Sequence, residues 1–366
     1  MATPEMIDWD VAVSTARRLV RPGPTVTALE AREVGDELRR LVPAAERHVS
    51  EITGLTPPEL DVPVAVVDRI GWVQANVDGF RILLTPLAEK IATRRGDRPA
   101  AGLVTAVGSR LAGVQVGTLM AYVASRVLGQ FELFVPAGGA GRLTLVAPNI
   151  VETERRLGVD PSDFRMWVTL HEVTHRTQFT AVPWLREHFL TLVHEFLDAS
   201  DLDPTQLLRR LRDAVGAVRG GPDRPGMSLV EAVQTPEQRA VLDRVQALMS
   251  LLEGHADVVM DAIGPDVVPS VAEIRRRFDE RRKGSGPIDR MIRSLLGLDL
   301  KMRQYAEGAA FVRAVVDTEG MARFNTVWTS AETLPLPAEI TDPQAWVRRV
   351  LGEPDRDELA VAVDGA

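Results

Sequence analysis

Apolar residues recur three and four positions apart along most of this chain. The recurrence predicts helices over Ala28–His48, Thr105–Leu128, Phe164–Phe179, Trp184–Ala199, Pro204–Val218, Pro236–Ile263, Val271–Lys283 and Lys301–Val316. Pro and Gly punctuate the joins, as in Thr56-Pro57-Pro58 and Arg219-Gly220-Gly221-Pro222. One region breaks the helical period. Phe131–Val135 and Arg142–Val146 are β-like runs flanking the turn-rich segment Pro136–Gly141, and they predict a hairpin. The fold class expected is therefore mainly α (α+β), with a small hairpin or sheet just ahead of the helix at 164–179. Gly113 and Gly117 stand four apart on an apolar helix, a spacing that lets a second helix approach closely.

Composition adds limits to this picture. With 366 residues, 45% apolar and 26% charged, the chain reads as one globular domain spanning 1–366. Its core is expected at about 25–350, with short tails at both ends. The formal net charge of −8 argues against a nucleic-acid partner, because phosphate backbones select basic surfaces. No cysteine is present, so disulfides, thiol nucleophiles and Cys-ligated metals are excluded, and any metal must be held by His, Asp or Glu. Met1–Asp10 has no basic segment before an apolar run and does not read as a signal peptide. The longest apolar stretch, Leu111–Ala124, is too short to cross a bilayer. A cytoplasmic protein without a membrane partner is expected.

The candidate chemistry lies in His171-Glu172-Val-Thr-His175. Asp160, Pro161 and Asp163 mark the start of its helix as cap, first-turn proline and first-turn acid. Positions i and i+4 share a helix face, so His171 and His175 can offer both imidazoles to one zinc ion. Glu172 points to an adjoining direction, from which a carboxylate can activate the attacking water. A zinc site needs a third protein ligand. The best candidate region is Leu251-Leu252-Glu253-Gly254-His255-Ala256-Asp257, inside an apolar helix. Its Glu-x-x-x-Asp spacing resembles the second helix of the gluzincins. The likeness implies Glu253 as ligand and Asp257 as a carboxylate that orients a ligand imidazole. His255 is the rival ligand, some 200° round the helix from Glu253. A donor for a developing oxyanion is also wanted. Tyr305, one of two tyrosines, is the candidate placed beside Glu172 as catalytic, with His255 and Arg303 as alternatives. His188 and His194 read as structural or surface residues.

Several segments beyond the motif carry a wider likeness. They include Leu111-Ala-Gly-Val-Gln-Val-Gly117, Val127-Leu-Gly-Gln-Phe131, His171–His175 with Gln178-Phe179, Val182-Pro-Trp-Leu-Arg186, Leu252-Glu-Gly-His-Ala-Asp257, the run from Leu295 to Tyr305, and Gly308-Ala-Ala-Phe311. On these the chain resembles an actinobacterial family of zincin-like metallopeptidases (type 2), one branch of which is labelled as associated with deazaflavin-coenzyme biosynthesis. The resemblance implies a mainly helical zincin-like fold, bound zinc, and hydrolysis of a peptide or amide. The sequence departs from strict zincins at Arg176 and Thr177, where those enzymes favour uncharged, then apolar residues. The alternative reading is a non-catalytic zincin fold serving as a binding or scaffold module.

Overall fold

A computed structural model of the protein describes residues 6–58, 62–95, 101–135, 139–199, 235–283 and 298–352. The helix expected at Pro204–Val218 lies outside these residues. The chain divides into two compact units, Met1–Ala181 with Val259–Gly284, and Val182–Val258 with Ser285–Ala366.

In the first unit the helices are α1 (Trp9–Leu19), α2 (Ala28–Thr53), α3 (Arg69–Arg95), α4 (Ala101–Ala124), α5 (Ala147–Leu157) and α6 (Pro161–Ala181). Three short strands, β1 (Val64–Val67), β2 (Gly129–Glu132) and β3 (Arg142–Val146), form a sheet in the order β1-β3-β2. β2 and β3 pair antiparallel, with Gly129 opposite Leu145, as the expected hairpin requires. The first strand begins two residues earlier than the sequence pattern suggested and ends at Glu132. β1 was not anticipated. It pairs parallel with β3, Val64 opposite Leu143, and its short valine-rich run suits a half-buried strand. The fold is thus mainly helical with a small mixed sheet, an α+β arrangement.

Local sequence explains why α2 and α6 form and meet. The Thr27 hydroxyl accepts a hydrogen bond from the Glu30 N–H at the start of α2, and Gly54 ends the helix in the left-handed region at φ 70°. Val34, Leu38, Val42, Ala45 and Val49 form one buried stripe along α2. That stripe joins Phe164, Val168 and Leu170 of α6 in the main core, together with Leu143 and Leu145 of β3. At the start of α6 the Asp160 carboxylate accepts from the Asp163 N–H at 3.0 Å, the cap expected from sequence. Arg165 then ties α6 to its neighbours. Its guanidinium donates to both oxygens of Glu154 on α5, at 3.0 and 2.6 Å, and to Glu37 on α2 at 2.5 Å. Burial pushes the Glu154 carboxyl up in pKa against the pull of Arg165. The motif helix is therefore clamped at its first turns by core packing and by a shared guanidinium.

The small residues of α4 do what their spacing suggested. A Cβ on Gly113 would lie 2.4 Å from the Asp8 carbonyl oxygen, and one on Gly117 would lie 2.3 Å from that of Ala12. Helix α1 rests on this groove, burying Trp9, Ala12 and Ala16. Replacing Gly117 with leucine is expected to lower stability by about 1–3 kcal/mol, because backbone cannot move aside as a side chain can. Chemical denaturation of the variant beside the wild type would check this. No described helix is long and apolar enough to cross a membrane.

The second unit holds α7 (Pro183–Asp198), most of α8 (Pro236–Ala262), α10 (Leu298–Phe324) and the short C-terminal helix α11 (Pro343–Trp346). The last turn of α8 and α9 (Val271–Lys283) belong to the first unit. Helix α10 breaks at Gly320, where φ is 78°. Its core is aromatic despite the chain's low aromatic content. Phe311 meets Trp346 edge-on at 5.8 Å, and Phe324 meets Trp328 at 6.2 Å. Helices α8 and α10 cross at glycines. A Cβ on Gly254 would lie 2.2 Å from the Gly308 carbonyl carbon, and one on Gly308 would lie 2.0 Å from the Ser250 oxygen.

Candidate metal centre

Helix α6 presents His171 and His175 from one face, as the i, i+4 spacing dictates. Their rings stand at 90° with centroids 4.8 Å apart, and the two Nε2 atoms are 3.3 Å apart. Gln178, fully buried one turn further on, places its Oε1 3.0 Å from His175 Nδ1. An amide oxygen only accepts, so Nδ1 is the donor of this pair, and the tautomer it favours has its lone pair on Nε2. That lone pair faces His171 Nε2, and two ring nitrogens at this distance need a proton or a cation between them. Two nitrogens each held about 2.0–2.1 Å from a tetrahedral zinc stand roughly 3.4 Å apart. The observed separation fits that demand.

Glu253 of α8 completes the donor set. His171, His175 and Glu253 each offer one ligand atom, and these atoms all lie within 4.8 Å of one another. Two imidazoles and a carboxylate are the chemistry of a metal site that keeps a position open. All three residues are half-buried. Asp257 follows Glu253 by one turn on the same helix face and is also half-buried. His255 is not part of the group. Its ring is fully buried, stacked on Phe324 at 5.7 Å and edge-on to Trp328 at 5.3 Å. This agrees with the wide angle between positions 253 and 255 on a helix. Tyr305 lies on α10, but its side chain, like that of Arg303, is outside the described residues. His188 is packed edge-on to Trp184, and burial draws its pKa down; His194 is exposed.

Glu172 points toward the sheet and is only 7% exposed. The strand β2 runs over its carboxylate. A Cβ on Gly129 would lie 2.7 Å from Glu172 Cγ and 2.8 Å from its Cδ. Glycine is unfavourable in a strand unless something must approach closely, and here it is the Glu172 side chain. Sequence reasoning met Gly129 and Gln178 only as parts of the family resemblance and gave neither a role. The signal for Gln178 was present, since position i+3 from His175 returns to the ligand face. Gly129 gave none, because the pattern started its strand at Phe131. Removing the amide in Gln178→Leu is expected to weaken metal binding about 10–100-fold. Competition against a chelating dye would read this.

A family model for zincin-like metallopeptidases matches residues 7–347. The chain belongs to the zincin-like metallopeptidase family. No curated protein sequence matches this member of the family. Among solved structures, its fold is similar to that of a Chloroflexus aurantiacus protein provisionally described as a hydrolase with a novel fold. The two are 34% identical, the match covers 95% of this chain and 100% of the other, and the TM-score is 0.69. The zincin-like family uses a metal ion, typically zinc, and the His-His-Glu group here suits one.

Proposed function

We propose that this protein is a zinc-dependent hydrolase of peptide or amide bonds, with His171, His175 and Glu253 as zinc ligands and Glu172 as the catalytic carboxylate. The observation that carries the proposal is the His-His-Glu group, with the buried Glu172 next in chain to a ligand. Zinc in such a site would polarise a carbonyl and bring the pKa of water toward neutrality. Glu172 takes a proton from the attacking water as its oxygen adds to the carbonyl carbon. The same carboxyl returns that proton to the leaving nitrogen as the C–N bond breaks. Gln178 holds the His175 ring in the tautomer whose Nε2 can ligate. Asp257 is assigned to orient a ligand imidazole on the likeness to the gluzincin second helix, and Tyr305 to stabilise the developing oxyanion as a candidate donor from the sequence alone.

Gly129 gives Glu172 its room. In Gly129→Ala the new methyl displaces the carboxylate, so hydrolysis is expected to fall about 10²-fold. Zinc content should stay unchanged, because no ligand is touched. The sequence resemblance supports a place in the actinobacterial, deazaflavin-coenzyme-associated branch, and the acidic N-terminal segment without a signal-peptide pattern supports a cytoplasmic location. A pool of fluorescence-quenched peptides and amides, incubated with the zinc-loaded protein, tests the activity. Chelator-sensitive cleavage supports the proposal. Cleavage that survives both chelation and Glu172→Gln contradicts it.

A further inference from the structure

Asn149, in the first turn of α5, is buried, and burying an amide costs free energy unless its polar atoms are bonded. Here both ends of the amide are. The Asn149 side-chain oxygen accepts from Arg69 Nε at 2.6 Å. Its Nδ2 donates to the Ala124 carbonyl at 2.8 Å and to the Val127 carbonyl at 2.6 Å. Arg69 is buried too. Its Nη1 donates to the Arg21 and Pro22 carbonyls, each at 2.7 Å, and its Nη2 to Glu152. A guanidinium only donates, so Arg69 decides which end of the amide is oxygen. One acceptor and two donors on so short an arm are what asparagine supplies; an aspartate has no donor and a serine has one.

The two carbonyls that Asn149 holds belong to the end of α4 and its connection to β2. The Val146 N–H holds the next carbonyl along, that of Leu128, at 2.8 Å. Gly129 follows directly, and it is the residue that lies against Glu172. A Cβ there would stand 2.7 Å from Glu172 Cγ, so the contact has no slack. Helix α5 also holds the other partner in this contact. Its Glu154 accepts from the Arg165 guanidinium of α6 at 3.0 and 2.6 Å. One helix thus ties down both the strand that covers Glu172 and the helix that carries it.

We propose that Asn149 is a positioning residue for Glu172. It lies outside the His-His-Glu group and acts through Gly129. By holding the Ala124 and Val127 carbonyls, it sets where the start of β2 rests on the Glu172 side chain. Without the two amide donors the connection shifts, and a displacement of about 1 Å at a catalytic group can cost about 10²-fold in rate. Arg69 serves the same end at one remove, by keeping the amide turned. The kinetic consequence rests on the hydrolase reading; the placement of the carboxyl does not.

The test is Asn149→Asp in the full-length, zinc-loaded protein, which keeps the shape and the bond to Arg69 but loses both donors. Ile150→Val is the control. It is next in chain and fully buried, and it thins the core without touching either carbonyl. The first readout is the carboxyl carbon NMR signal of Glu172 in isotope-labelled protein, assigned by its absence from Glu172→Gln. It should move in Asn149→Asp and stay in place in Ile150→Val. The second is kinetic, on a substrate that the wild type cleaves. In Asn149→Asp kcat should fall about 10–10²-fold with KM and zinc content unchanged. The same change made in Glu172→Gln should cost no more than about twofold, because the group being positioned is already gone. Asn149→Ser, which keeps one donor, is read in the same way with smaller effects and decides the matter if the aspartate variant does not fold. A Glu172 signal unmoved by loss of the donors, or moved equally by Ile150→Val, would overturn the proposal. So would an equal loss of kcat with and without Glu172. A wild type that cleaves nothing would sink the hydrolase reading alone, and the carboxyl signal would still decide the placement.

Discussion

Glutamine in place of Glu172 is expected to leave about one zinc per chain and, if the proposed mechanism holds, to lower the hydrolytic rate about 10²–10⁴-fold, the ordinary worth of a positioned general base. The amide keeps nearly the shape of the carboxylate beneath β2, so neither packing nor the His pair is disturbed. What it loses is the ability to take a proton from water and give one to the leaving nitrogen. Loss of metal in Glu172→Gln would mean that the side chain supports the ligands, and a rate unchanged from wild type would remove it from the mechanism.

The largest effect on stability is expected at the crossing of α8 and α10. Valine at Gly308 would drive its Cβ into the Ser250 backbone, where the oxygen lies 2.0 Å from the Cβ position. Neither helix can relieve that contact by a rotamer change, so the helices must separate, at a cost on the order of 3 kcal/mol or more. Thermal unfolding should move down by about 6–10 °C. Gly254, next in chain to Glu253, occupies the same crossing, so zinc affinity should fall along with stability. Gly108→Ala is the matched control. It is exposed on α4, nothing lies within 4 Å of its Cβ position, and alanine is the better helix former there. An unfolding midpoint for Gly308→Val equal to that of Gly108→Ala would show that the crossing carries no strain.

Much of this was legible in the residues, for identifiable reasons. The period of 3.6 in α2, α6 and α8 survives burial of one face, and the Asp160–Pro161–Asp163 start is local chemistry that the structure keeps. The His pair and Glu172 are set by spacing on one helix and need no tertiary knowledge. Glu253 was reached through its Glu-x-x-x-Asp spacing; the angle between positions 253 and 255 meant only that both could not face one metal, and His255 stayed its rival until its ring was seen buried against Phe324 and Trp328. What escaped depends on contacts far apart in sequence. β1 is four residues long and is a strand only because β3 pairs with it. Gly129 has meaning only once Glu172 is seen beside it. The glycines at 254 and 308 look like weak points in two helices until their close approach is known. The Glu46–Arg176 ion pair is of the same kind, since only the packing of α2 on α6 brings the two together.

The central claim is that this chain holds one zinc through His171, His175 and Glu253. It is tested most directly by elemental mass spectrometry on the purified, untagged protein, with His171→Ala and Glu253→Ala measured beside it. The account predicts about one zinc per chain in the wild type and loss of that zinc in both variants. A wild type that stays free of metal after reconstitution, or zinc retained in His171→Ala, would contradict it and favour a zincin fold kept as a binding module.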